Sequence, residues 1–102
     1  MVNITDEIKN FLDDSGRLMR YPAKRKRQIY ALFYLASKFE PDKRYTEKEV
    51  NEILNKWHTF KDWAMLRRDL YDCRFLNRKA DCSEYWLEDN QPTLASLGLD
   101  KK

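Results

Sequence analysis

Glycine is scarce in this chain of 102 residues: there are two, beside three prolines, two cysteines and one histidine. So few flexible residues and helix breakers exclude a loop-dominated or low-complexity chain and predict long elements joined by short connections. Cys73 and Cys82 have no second cysteine pair and no histidine near them in sequence, so neither a disulfide framework nor a zinc signature is indicated, and both are expected to be reduced thiols. No stretch approaches the roughly 18 apolar residues of a membrane span, and Met1-Val2-Asn3-Ile4-Thr5-Asp6-Glu7 lacks the basic start and apolar run of a signal peptide. A cytoplasmic protein without membrane association is expected.

A large excess of either charge is also missing, since 20 Lys and Arg against 17 Asp and Glu leave +3. That balance does not argue for nucleic acid by itself, but its distribution is uneven. Six cations, Arg17, Arg20, Lys24, Arg25, Lys26 and Arg27, follow one another with no acid between them. The segment before them, with Asp6, Glu7, Asp13 and Asp14 against Lys9, is acidic, as is the stretch holding Asp81, Glu84, Glu88 and Asp89. A local basic patch is predicted rather than a uniformly basic protein.

What is present is a hydrophobic fraction of 42% with 14% aromatics, enough at this length for one independently folded domain. Ile4, Ile8, Phe11 and Leu12 follow helical spacing, with Asn3 or Thr5 to cap the start and Ser15-Gly16 as a stop. Tyr21-Pro22 opens a longer helix, because proline suits a first helical position, and Ile29, Leu32, Phe33 and Ala36 form its stripe up to about Phe39, before Pro41. Tyr30, Tyr34 and Leu35 widen that apolar surface, which predicts cover on two sides by the N-terminal helix or by a dimer partner. Thr46-Glu47-Lys48-Glu49 fits a capping box, followed by Val50, Ile53, Leu54 and Trp57 at helical spacing. Lys43-Arg44-Tyr45 before it reads as an edge strand. His58-Thr59-Phe60-Lys61 breaks the pattern, and Trp63, Leu66, Leu70 and Cys73 form a further stripe, so that two short helices flank a tight turn.

Beyond Arg74 the period changes: Phe75 to Lys79 and Glu84 to Leu87 are strand-like, with Ala80-Asp81-Cys82-Ser83 between them, which predicts a hairpin. The order helix, short strand, helix, turn, helix, hairpin is a mainly α fold with a small β-hairpin, of winged helix-turn-helix type. The expected division is an N-terminal helix in residues 1–16, a core in 17–88 and a tail in 89–102, where Leu94, Leu97 and Leu99 follow Pro92 as a docking or frayed segment.

Several motifs in this order carry a family resemblance: Tyr21-Pro22-Ala23-Lys24-Arg25-Lys26, Lys38-Phe39-Glu40-Pro41, Tyr45 to Asn51, Leu66-Arg67-Arg68-Asp69-Leu70 and Tyr85-Trp86. Over about residues 17–88 the chain resembles the bacterial domain of unknown function found alone or fused C-terminal to arsenic-repressor-type helix-turn-helix domains. The resemblance implies a link to transcriptional regulation and supplies no ligand, catalytic residue or DNA contact. Where that family often has an Asp-Gly-Ser turn this chain has Asp81-Cys82-Ser83, which bears on the hairpin because glycine accepts positive φ more readily than cysteine.

If Trp63, Leu66, Leu70 and Cys73 face the core, helical geometry puts Lys61, Ala64, Met65, Arg68, Tyr71 and Asp72 on the opposite side. On a recognition helix of about residues 60–73, Lys61 and Arg68 would reach phosphates or a guanine edge, Tyr71 a phosphate, and Ala64 would permit close approach to double-stranded DNA. Asp62, Asp69 and Asp72 would repel phosphate, and the same face would serve as a hydrated surface. Lys24, Arg25, Lys26 and Arg27 oppose the dipole of the helix they begin, at about 0.3–1 kcal/mol each, which a polyanion would offset. Their stems would otherwise cover apolar neighbours. Arg78 and Lys79 near the hairpin tip, in a wing of about residues 75–87, complete the expected backbone contacts, with Asp81 and Glu84 opposing them.

His58 stands alone and is expected to be a turn or capping residue rather than a metal ligand. Paired acids such as Asp13-Asp14 and Glu88-Asp89 sit at element ends, and no Ser or Cys has a recognisable base, so no enzyme, metal or cofactor is expected. Trp57, Phe60, Trp63 and Trp86 read as core at the helix corner. The functional expectation is a DNA-binding regulator; the alternative is a winged-helix module that binds a regulatory protein partner or senses an effector through the Tyr30 and Tyr34 surface.

Overall fold

The computed structural model describes residues 4–93, 95 and 96. The proposed Asn3 cap and the tail leucines Leu94, Leu97 and Leu99 lie outside the described residues. Within them the architecture is mostly helical α+β, with four α-helices and a two-stranded antiparallel hairpin.

The first helix, α1 (Ile4–Ile8), runs into a single 3-10 turn, Lys9–Phe11, rather than continuing as one helix to Leu12. Past it the chain doubles back, Leu12 pairing with Leu18. The Asp13 carboxylate closes this loop by accepting the backbone N–H of Ser15 and of Arg17, both at 2.9 Å. The Arg17 amide is the main reason that the carboxyl lies below its usual range. Gly16 sits at the bend with φ +81°, a conformation that an L side chain rarely adopts.

Helix α2 is Arg25–Ala36, three residues later than proline placement predicts. Tertiary contacts override the local preference: the Tyr21 hydroxyl donates to Asp69 at 2.8 Å, and the Gln28 side chain donates to the Pro22 carbonyl at 2.9 Å, which holds the approach extended. The helix ends at Ala36 instead of Phe39, and turn hydrogen bonds carry Lys38 and Phe39 onward. Helix α1 lies against α2, with Ile8 and Tyr30 both buried.

Helix α3 (Glu47–Trp57) starts at the predicted capping box: Glu49 N–H donates to the Thr46 hydroxyl at 3.1 Å, and Thr46 N–H donates to the Glu49 carboxylate at 2.8 Å. Such a cap is worth about 1 kcal/mol. Helix α4 (Trp63–Asp72) ends in a Schellman motif, with Arg74 N–H bonded to the Tyr71 carbonyl and Phe75 N–H to that of Leu70. Glycine usually fills the left-handed position of this motif; here Arg74 does, at φ 69°.

Strands β1 (Leu76–Arg78) and β2 (Tyr85–Leu87) pair with Leu76 opposite Leu87, Asn77 opposite Trp86 and Arg78 opposite Tyr85. They are shorter than the predicted runs, and Phe75 is a fully buried core residue outside β1. The segment before α3 contributes one rung rather than a strand: Tyr45 and Tyr85 exchange backbone hydrogen bonds of 2.8 and 2.7 Å. Leu18, Leu32, Leu35, Leu54, Leu66 and Leu70 are fully buried between these elements, at about 1.5–3 kcal/mol of hydrophobic stabilisation each. Phe33 of α2 meets the Phe75 ring edge-on at 4.7 Å.

Two substitutions at positive φ should act with opposite signs. Gly16→Ala strains the backbone and sets a Cβ 3.0 Å from the Tyr34 hydroxyl, so urea titration should show a loss of about 1 kcal/mol or more. Arg74→Gly removes the strain at an exposed helix end and should gain about 0.5–1 kcal/mol; a loss there would contradict the assignment.

Candidate nucleic-acid interface

The corner between α3 and α4 is built by the lone histidine. His58 is buried; Asp62 N–H donates to its Nε2 at 3.0 Å, which leaves Nδ1 to carry the proton and donate to the Leu54 carbonyl at 2.5 Å. One ring thus joins the last turn of α3 to the start of α4, in the capping role expected of it. Leu18 reinforces the corner, its N–H bonded to the Trp57 carbonyl at 2.8 Å and its carbonyl accepting Thr59 N–H at 2.9 Å. Lys61 makes the turn with φ 56°, again where glycine would be usual.

Helix α4 buries Leu66 and Leu70, with Cys73 at its end, and exposes Ala64, Arg68, Tyr71 and Asp72, with Lys61 exposed in the turn before it, as the spacing predicts. Two positions differ. Trp63 is 37% exposed rather than core, because at the first position of α4 it lies beyond the packed stripe. Met65 is half-buried against the core instead of facing outward. The aromatic corner is correspondingly no core: Trp57, Phe60 and Trp86 are only half-buried. The Lys38 ammonium covers the Trp57 ring at 4.0 Å, and the Arg44 guanidinium covers Trp86 at 4.0 Å.

Each flank of the exposed α4 face is fixed by an arginine. On one side Arg67 donates to the Asn51 side chain and pairs with Glu47 at 3.4 Å, and Glu47 also accepts the Tyr85 hydroxyl at 3.2 Å. This carboxylate therefore joins α3, α4 and β2. On the other side Asp69 accepts the Tyr21 hydroxyl and lies 4.0 Å from Arg25, which also donates to the Cys73 sulfur at 3.2 Å. Asp69 was expected to repel phosphate from the recognition face; it is instead turned aside and matched by a cation. Burial is the main cause that raises the Tyr21 phenol and the Cys73 thiol above their ordinary values.

Among the other predicted contacts, Lys24, Lys26 and Arg27 are exposed along the start of α2. Lys79 lies 3.7 Å from Glu84. Arg78 is half-buried rather than free at the hairpin tip: its guanidinium sits 4.4 Å over the Tyr71 ring and donates to the Lys79 and Ala80 carbonyls and to the Cys82 sulfur. Cys82, in the place where glycine was noted to be usual, adopts φ 63°. Between α4 and the hairpin this leaves a recess of about 290 Å³ lined by Arg67, Arg68, Tyr71, Asp72, Arg78 and Tyr85. Sequence reasoning missed the roles of Arg67, Asp69 and Tyr21, whose partners stand 16 to 48 positions away and leave no local signal.

Both cysteines are free thiols, Cys73 buried and Cys82 half-buried. Among the described residues no group of three or more His, Cys, Asp or Glu could hold a metal ion, and no helix is long and apolar enough to cross a membrane. Chemically the surface offers charged and hydroxyl donors on a rigid helix.

Burial, and then the neighbouring Cys82 thiol, pushes the Tyr85 phenol up to about 12 from its ordinary 10. The folded chain thus holds this proton more tightly than the unfolded one, so the stability it contributes is complete below the unfolded value and is lost as pH rises through the folded one. Urea midpoints should fall from about pH 10 upward, and Tyr21→Phe with Tyr85→Phe should flatten that decline; an unchanged slope would show that these phenols do not cause it.

No curated protein and no solved structure matches the chain. A family model does, over residues 17–87, a span that starts at the loop before α2 and ends with β2. The chain therefore belongs to the family of uncharacterised proteins conserved in bacteria designated DUF2087.

Proposed function

We propose that this chain is a winged helix-turn-helix module that binds double-stranded DNA as a transcriptional regulator of the cytoplasm. Helix α4 enters the major groove, the β1–β2 hairpin is the wing, and the basic segment from Arg17 to Arg27 lies along the backbone. The Tyr45–Tyr85 rung supports the architecture, because it attaches the segment before the helix-turn-helix to the far strand of the hairpin.

The observation that carries the function is how charge is partitioned on α4. Arg67 and Asp69, on the flanks, are matched by partners from other elements, whereas Arg68, on the exposed face, and Lys61, in the turn that leads into it, have no carboxylate within 4.0 Å among the described residues. Cations left unmatched on a rigid helix beside small Ala64 suit a phosphate or guanine edge. The resemblance to domains fused behind arsenic-repressor-type regulators supports the same setting. One helix reads only a few base pairs, so a homodimer on paired half-sites completes the recognition.

Against this reading stands the alternative of a protein-partner or effector surface on the Tyr30 and Tyr34 face, which the packing there favours less. Tyr30 is 1% exposed on the helix that α1 packs against, and Tyr34 donates to the Gly16 carbonyl at 2.5 Å beneath the Lys38 ammonium. The chain itself covers Tyr30 and part of Tyr34.

Fluorescence anisotropy with duplex DNA over a salt series tests the proposal. Affinity should fall as salt rises, and Arg68→Ala should weaken binding and lower the salt slope by about 1, while Asp72→Asn should strengthen binding roughly two- to fivefold. Absence of binding at low salt, or affinity indifferent to salt, would refute it.

A further inference from the structure

Away from the α4 face, a cleft of about 270 Å³ opens between the 3-10 turn and the start of α2. Phe11, Tyr21 and Pro22 give it an apolar wall, and Arg20, Lys24 and Arg27 supply its charge, with no acid in the lining. We infer that this cleft is a binding site for a phosphate group, with the ester substituent of the phosphate against Phe11 and Pro22.

Among the described residues these three cations are unmatched by acids, as Lys61 and Arg68 are, and what sets them apart is that they line one cleft. Arg17, Arg25, Lys43, Arg44, Arg67 and Lys79 each have a carboxylate within 4.0 Å. Arg20, Lys24 and Arg27 have none among the described residues, although the chain carries 17 acids. Three like charges around one concavity repel each other, and an oxyanion between them converts that repulsion into attraction. Arg20 is also oriented in advance: its guanidinium stacks on the Phe11 ring at 4.7 Å, and no hydrogen bond within the described chain engages its in-plane donors. A planar guanidinium held by an aromatic face, with its fork of donors uncommitted, suits phosphate oxygens. The apolar wall favours an esterified phosphate over a bare hydrated ion.

Two sources carry this chemistry, the internucleotide phosphate of a duplex and the phosphate of a small molecule. For the first source alone, the inference rests on the DNA reading.

The test uses the whole chain labelled with 15N, its amide and arginine Nε resonances followed at constant ionic strength. Inorganic pyrophosphate, adenosine monophosphate and a short duplex are added separately. Saturable shifts at Arg20, Lys24 and Arg27 are expected, with apparent affinity reduced roughly tenfold or more in Arg20→Ala/Arg27→Ala. If that variant loses its folded spectrum, Lys24→Gln provides the comparison and should weaken the same shifts. Saturation by pyrophosphate or the nucleotide identifies a small-molecule source, and saturation by duplex alone identifies the backbone. Shifts that rise linearly with every probe and persist in the variants overturn the inference. A duplex that moves Lys61 and Arg68 while no probe moves residues 20–27 overturns the cleft and leaves the DNA reading standing. Saturation by pyrophosphate without any duplex binding does the reverse.

Discussion

The fold depends on one reciprocal pair of backbone hydrogen bonds. Tyr45 and Tyr85 each donate to the other's carbonyl, and α3, the corner, α4 and β1 lie between them in sequence. Without that rung the hairpin is a ribbon of two short strands, which is marginal alone in water. With it, β2 is fastened to the entry of α3, and the Tyr85 side chain extends the attachment through Glu47 to Arg67. The direction of the hairpin relative to α4 follows from this closure together with the Schellman turn that precedes Phe75.

What was legible in the sequence was what depends on near neighbours. The capping box at Thr46 is a contact between residues three apart, so its hydroxyl and carboxylate announce themselves, and the buried stripe of Leu66 and Leu70 repeats at the helical period. Trp63 satisfied that period and still faces solvent, because periodicity fixes the angle around a helix but not whether another element stands opposite at that height. Pro22 satisfied the rule for a first helical position, yet α2 begins at Arg25, with Tyr21 bonded to Asp69 and Pro22 to Gln28 in the approach. The exposed face of α4 was predicted nearly residue for residue; its electrostatics were not. Asp69 and Arg67 look like any other acid and base in sequence, and only the fold brings them their partners.

The scarcity of glycine left the turns legible in place but not in backbone conformation. Asp42, Lys61, Arg74 and Cys82 all take positive φ, which L residues adopt at about 1–2 kcal/mol each. Only Asp42, after Pro41, is of a residue type that favours such a conformation; Lys61, Arg74 and Cys82 are not. Lys61 illustrates the combination: it bears a charge on the candidate interface and also holds the strained bend that aims α4. Its side chain and its backbone are thus under separate demands.

The long-range ties are interleaved rather than nested. Met19 meets Thr59 across 40 positions, Tyr21 meets Asp69 across 48, and Glu47 meets Tyr85 across 38, so each loop encloses the beginning of the next. Closing one such loop from a free coil costs about 3 kcal/mol of chain entropy, but once the first is shut the others span a much shorter free path. The expense falls on the earliest closure, and the later ones form at a discount. A chain wired in this way has little to gain from assembling part of itself: a fragment holding only the two helices of the corner would keep the entropy loss and forfeit the ties that offset it. Such wiring favours concerted folding, in which the charged face of α4 is completed together with the hairpin that follows it.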